Sequence, residues 1–243
     1  MAIRLRLLSV ALIGLGFVGV AALSTAAEPT APVQIITLGD SITKGVRGGV
    51  TAEQTFAHLL EQALRKQALE VRVTNVGIGG ERTDQALQRL DAAVLAQHPR
   101  LVTIMYGTND SYVDVGKSAS RITREEYATN LRQLVTRLRN GGAIPVLMTE
   151  PRWGASAKPN GAGEHPNVRL AEYMAACRDV AKELAVPLVD HYQHWSDAEA
   201  QGQDLGKWTT DQCHPNPAGH EVLTASMLPV IQQALRMVPS MSQ

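Results

Sequence analysis

Five short apolar runs punctuate the chain, each ending near a glycine, proline or polar cluster. They are Val33–Leu38 (VQIITL), Val71–Val76 (VRVTNV), Leu101–Met105 (LVTIM), Ile144–Thr149 (IPVLMT) and Val186–Val189 (VPLV), the last the weakest. Continuous apolar runs of this length predict strands buried on both faces, as in a parallel sheet. Between them the apolar positions change to helical spacing. Residues 53–68 carry Phe56, Leu59, Leu60 and Leu64; residues 83–97 carry Ala86, Leu87, Leu90, Val94 and Leu95. Residues 124–139 carry Tyr127, Leu131, Leu134, Val135 and Leu138, with Gly141-Gly142 as a C-cap signal. Residues 168–185 and 217–236 complete the set, the last opened by Asn216-Pro217, a cap followed by a first-turn proline.

Strands alternating with helices predict βαβ crossovers and a parallel sheet with helices on both faces. Ligands of such sheets bind outside the carboxyl ends of the strands, so chemistry is to be sought just after each run. No linker divides residues 28–243, which read as a single domain. Residues 151–167 (PRWGASAKPNGAGEHPN) are long for a connection and rich in Gly, Pro and Ala, which suggests a flexible flap over the site.

The first 27 residues break the pattern. Arg4 and Arg6 precede 17 uncharged residues, Leu7 to Leu23, and then Ser24-Thr25-Ala26-Ala27. This reads as a secretory signal cleaved near Ala27, hence export to a periplasmic or extracellular space. A retained anchor is the alternative, because the stretch approaches the roughly 20 apolar residues that span a bilayer. No cysteine follows it, which argues against a lipoprotein anchor. Cleavage would leave 21 basic and 23 acidic side chains, a net charge of about −2. That balance favours neither nucleic acid nor stable membrane association. Cys177 and Cys213 are either a disulfide of an exported protein or two buried thiols.

Four motifs follow the predicted strands. After the first comes Gly39-Asp40-Ser41-Ile42-Thr43, where Gly39 permits a tight turn and Ser41 is a nucleophile if a base takes its proton. A helix cap is its ordinary alternative. After the second comes Asn75-Val76-Gly77-Ile78-Gly79-Gly80-Glu81, whose backbone N–H groups can face a developing oxyanion or simply form a positive-φ loop. After the third comes Tyr106-Gly107-Thr108-Asn109-Asp110, where the Asn109 amide offers a second oxyanion donor or an Asx-turn. Near the end, Asp211-Gln212-Cys213-His214-Pro215 sets a carboxylate three residues before a histidine, close enough to orient Nδ1 and free Nε2. The G-x-S-x-G elbow of the larger α/β-hydrolase family is absent around Ser41.

The order and spacing of these motifs resemble the SGNH hydrolase superfamily, the GDSL-like lipases and esterases. Its four marks match Ser41 in GDSIT, Gly80 in NVGIGGE, Asn109 in GTND and His214 in DQCHP. The resemblance covers roughly residues 33–235. It implies a three-layer α/β/α sandwich on a five-stranded parallel sheet, of flavodoxin-like form. It also implies a carboxylic-ester hydrolase with Ser41, His214 and Asp211 as triad. The oxyanion hole would be the N–H groups of Ser41 and Gly80 and the Asn109 side chain. Such chemistry needs no metal and no organic cofactor.

Tyr106, Arg152 and Trp153 lie after the third and fourth strands and are expected to line the substrate cleft, with Glu150 and Asp110 beside them. Asp190, His191 and His194 hold a metal-like spacing but lack the rest of a site, and read as capping or solvent-facing groups. The expectation is therefore an exported serine esterase acting on short acyl groups, acetyl above all, of small-molecule or carbohydrate esters. A lysophospholipase or thioesterase of the same fold, and a non-catalytic glycan-binding module, are the alternatives. Oligomeric state is not legible.

Overall fold

Residues 31–236 are described by the structure, a computed structural model, and belong to one compact unit. The signal-like segment and its cleavage point lie outside the described residues. The strands are β1 (Val33–Gly39), β2 (Val71–Asn75), β3 (Leu101–Met105), β4 (Ile144–Met148) and β5 (Leu188–Val189). The helices are α1 (Ser41–Lys44), α2 (Phe56–Arg65), α3 (Thr83–Ala93), α4 (Thr108–Ser111), α5 (Arg124–Asn140), α6 (Asn167–Glu183), α7 (His191–Ala200) and α8 (Pro217–Arg236). All four strand pairings are parallel, in the order β2-β1-β3-β4-β5.

The unbroken apolar runs follow from burial on both faces. Alternate strand residues point to opposite sides. Ile36, Leu38, Val102, Ile104 and Leu147 enter one core with α3, α5 and α6. Ile35, Leu101, Met105, Val146 and Met148 enter the other, with α2 and α8. The result is a three-layer α/β/α sandwich. Cys177 belongs to the first core and Cys213 to the second; both thiols are free and buried, and the sheet between them rules out the bridge.

Helix ends follow the sequence signals closely. Thr123 Oγ1 accepts from the Glu126 N–H at the start of α5, and Gly142, at φ +81°, supplies the left-handed residue after its end. Asn216 Oδ1 accepts from the Gly219 N–H at the start of α8. The weakest run shortens to two residues, Leu188 and Val189. Among the described residues, no helix is long and apolar enough to cross a membrane.

The chain moves from β1 to one sheet edge, β2, then crosses to β3 on the other side of β1. Between the carboxyl ends of β1 and β3 the crossovers diverge, and a crevice opens there. Ser41 follows one of these ends and Asn109 follows the other.

Candidate active site

Gly39 ends β1 in a crowded spot. A Cβ there would lie 2.0 Å from Thr43 Oγ1 and 2.6 Å from the Met105 carbonyl oxygen. The glycine is thus needed for close approach of the β1–α1 turn to β3. Asp40 then caps α1, its Oδ1 accepting from the Ile42 N–H at 2.8 Å, and Ser41 opens the helix half-buried at the sheet edge.

His214 reaches Ser41 from the opposite end of the chain. Its Nε2 is 2.9 Å from Ser41 Oγ, and its Nδ1 is 2.9 Å and 3.1 Å from the two oxygens of Asp211. With the ring proton on Nδ1, Asp211 accepts it and Nε2 is free to accept the serine proton. Asp211 also accepts from the N–H groups of Cys213 and His214, so the turn folds around its own carboxylate. Arg47 pairs with Asp211 Oδ2 at 2.8 Å. The turn is anchored where the Thr210 N–H donates to the His214 carbonyl and the Gly154 N–H donates to the Gln212 carbonyl.

The glycine turn after β2 passes beside the serine. A Cβ on Gly79 would lie 4.0 Å from Ser41 Cβ, and Gly80 has φ +78°. Among the described residues, no acceptor is bonded to the N–H of Ser41 or of Gly80. Glu81, next in line, is held by Arg89 at 2.5–2.6 Å and by the Tyr106 hydroxyl at 2.6 Å.

Asn109 stands on α4, on the far side of Ser41. Its Nδ2 donates to Asp40 Oδ2 at 2.8 Å, and its Oδ1 accepts from Arg121 Nη1 at 3.2 Å. Both contacts fix the amide plane and leave one N–H of Nδ2 uncommitted. Asp110 ties α4 to α3, accepting from both the N–H and the hydroxyl of Thr83. Burial raises its carboxyl to about 6.

Beneath this layer lie two further carboxyls, Asp40 and Glu150, both fully buried. Burial, partly offset by the Ile42 N–H, raises Asp40 to about 7. Burial first, and the neighbouring Asp40 second, push Glu150 well above the usual carboxylate range. Cys213 is also driven up, chiefly by burial, so its thiol is inert beside the histidine.

The expected lining residues divide. Trp153 is half-buried and stacks on Tyr112, with ring centroids 6.2 Å apart and planes 24° apart. Tyr112 ends the Asn109 helix, and Trp153 directly precedes Gly154, whose N–H donates to the Gln212 carbonyl. Tyr106 does not line the cleft: it is 1% exposed, and its hydroxyl points down to Glu81. Arg152 is also turned away, with its guanidinium paired to Glu199 at 2.9 Å and set over the Tyr192 ring. The segment 151–167 is not a loose flap. The Trp153 N–H and carbonyl both bond to Asn167, His165 bonds to the Gly154 carbonyl, and the Gly161 N–H donates to Val113. Asp190 caps α7 and pairs with Arg178, while His191 is buried against Ser226.

Glu150, expected beside the cleft, is instead fully buried. Three residues near the site escape a reading by motif: Arg47, Tyr112 and Arg121. Each meets its partner only through the fold. Arg47 is 164 positions from Asp211, and only Tyr112, one turn beyond Asn109, carries a local signal.

A Ser–His–Asp chain of hydrogen bonds at a switch point, with free backbone donors and one amide beside it, suits acyl transfer through a tetrahedral intermediate. The profile of the GDSL-like lipase/acylhydrolase family matches residues 37–222. An isoamyl acetate-hydrolyzing esterase 1 homolog of Bos taurus is 28% identical over 221 residues, 85% of this chain and 84% of that one. An acetylxylan esterase of Geobacillus stearothermophilus is 27% identical over 210 residues, 80% of this chain and 92% of that one. The crystal structure of the lipase/acylhydrolase from Enterococcus faecalis superposes with a TM-score of 0.68 at 25% identity, over 86% of this chain and 99% of that one. The protein is therefore a carboxylic-ester hydrolase on an α/β/α scaffold. It belongs to the GDSL-like lipase/acylhydrolase family, the SGNH hydrolases.

Proposed function

We propose that the protein is an exported serine esterase that removes short acyl groups, acetyl above all, from carbohydrate esters. The observation that carries the chemistry is the unbroken chain Ser41–His214–Asp211, at 2.9 Å for each link. Ser41 Oγ attacks the ester carbonyl as His214 Nε2 takes its proton. Asp211 keeps the imidazole in the right tautomer and stabilises the imidazolium. The oxyanion is held by the N–H groups of Ser41 and Gly80 and by the Asn109 amide. His214 then gives its proton to the leaving alcohol, and water releases the acid from the acyl-enzyme by the same route in reverse.

Two observations favour a short acyl group on a sugar. The segment 151–167 is bonded down beside the histidine turn, which restricts the space for a long chain. The Tyr112–Trp153 stack lies close in the chain to Asn109 and to Gly154, which bonds to the histidine turn, and supplies aromatic rings of the kind that pack on the apolar side of a pyranose. The relatives named for isoamyl acetate and acetylxylan agree with acetyl as the acyl group. Export rests on the charge and apolar pattern of residues 1–27.

The test is hydrolysis of a p-nitrophenyl ester series from acetyl to dodecanoyl, by the chain lacking residues 1–27 and by its Ser41→Ala variant. Turnover concentrated at acetyl and abolished in the variant is expected. Faster cleavage of the long esters would refute the acetyl reading. Full activity in Ser41→Ala would refute the triad.

A further inference from the structure

Asp40 and Glu150 stand out because, among the described residues, no cation pairs with either, although both are wholly out of water. Asp40 has two partners: the Ile42 N–H on Oδ1 and the Asn109 amide on Oδ2. Neither oxygen of Glu150 receives a well-formed hydrogen bond from an N–H or a hydroxyl, although the Thr108 N–H lies near. The Glu150 carboxyl is instead within hydrogen-bonding reach of the Asp40 carboxyl. Asp110 adds a third buried carboxyl close by, its Oδ1 already occupied by Thr83. Two adjacent carboxylates in a dry site cannot both be charged, since an uncompensated buried anion costs several kcal/mol. One of them must hold a proton. Asp40, with two good donors, is the more readily ionised of the two; Glu150, with none, holds the proton.

We propose that Glu150 carries this proton and donates it to Asp40, keeping Asp40 a fixed acceptor that aims the Asn109 amide at the oxyanion. Glu150 is then a positioning residue acting through two others, at the end of a relay Glu150–Asp40–Asn109. Arg121 holds the same amide from its oxygen side, so its plane is set from both ends. Nothing in Glu150 touches substrate. Its effect falls on the transition state, where the uncommitted Asn109 N–H is needed, and not on ground-state binding. The inference rests on the oxyanion role given above to Asn109.

The test is a double-mutant cycle on p-nitrophenyl acetate with Glu150→Met, Glu150→Gln, Asn109→Ala and the Glu150→Met/Asn109→Ala pair. Methionine keeps the length and apolar fit of the side chain but donates nothing, whereas glutamine keeps a donor. Expected are a fall in kcat of about tenfold or more for Glu150→Met with KM within about twofold, and recovery of most of that rate in Glu150→Gln. Asn109→Ala costs about 10²–10³-fold in the wild-type background and much less on top of Glu150→Met. Equal losses for Met and Gln, or the same Asn109→Ala factor in both backgrounds, overturn the relay. Loss of activity in Ser41→Ala alongside additive factors leaves the esterase reading standing and removes only this inference. If Glu150→Met does not fold, infrared difference spectroscopy of wild type against Glu150→Gln at neutral pH decides the matter. A protonated-carboxyl stretch present in the first and missing from the second supports the assignment, and its absence from the wild type overturns it.

Discussion

Replacing Glu150 by Gln should change not only the stability of the fold but its dependence on pH. Glu150 is fully buried and its carboxyl is raised well above 4.5 by burial and by Asp40. In the unfolded chain it ionises near its ordinary value, so above that pH the folded state holds one more proton there than the unfolded state. Stability then falls with rising pH at about 1.4 kcal/mol per unit from this group alone, until the folded carboxyl itself titrates. Glutamine holds no titrating proton and cancels that slope. From about pH 5 to about pH 6.5, Glu150→Gln should therefore gain about 2 kcal/mol on the wild type. Asp110, raised to about 6, contributes a slope of the same sign, but to both proteins, and drops out of the difference. For a chain of this size the gain corresponds to a relative shift of about 4–8 °C in Tm. Urea unfolding followed by circular dichroism at several pH values across the window measures it. A stability difference that does not change with pH would mean that Glu150 carries no proton in the folded state.

Gly39→Ala should fail to fold or lose activity outright, because its Cβ would strike Thr43 and the Met105 carbonyl; soluble yield and residual esterase activity check this. Arg152→Ala should leave KM unchanged while lowering Tm by a few degrees, since its partners are Glu199 and Tyr192; a raised KM would return Arg152 to the cleft. Reducing agent should leave Tm unchanged, as Cys177 and Cys213 lie in cores on opposite faces of the sheet; a drop on reduction would contradict that placement.

The sheet was largely legible because its signal is local. Val33–Leu38 and Leu101–Met105 are covered by helices on both faces, and continuous apolar character is what that burial demands. Caps were legible for the same reason, as with Asn216 and Gly142. The last strand was overdrawn because a run of four apolar residues does not reveal how many pair with a neighbour, and only Leu188 and Val189 do. The spacing of the GDSIT and DQCHP motifs led to the Ser41–His214 contact, although 173 positions separate the two residues. Side-chain direction was not legible. Tyr106 follows a strand as Trp153 does, yet Tyr106 turns down to Glu81 and Trp153 out to Tyr112, according to partners far away in sequence. Arg152 was misjudged because Glu199 lies on a helix that the pattern did not reveal. Glu150 was expected beside the cleft because it follows the fourth strand, and nothing in its sequence neighbours reveals that the fold buries it against Asp40.

The contact between Ser41 and His214 also has a meaning in time. A ribosome delivers Ser41, the glycine turn and Asn109 long before it delivers the histidine, which follows the serine by 173 positions. All five strands precede His214, so the sheet can pair, and much of the sandwich can form, while Ser41 still lacks its histidine partner. A nascent chain, or one clipped before Asp211, lacks that partner however well the rest is folded. On the proposed triad, activity therefore registers the arrival of the histidine turn, and comes only after every strand of the sheet has been made.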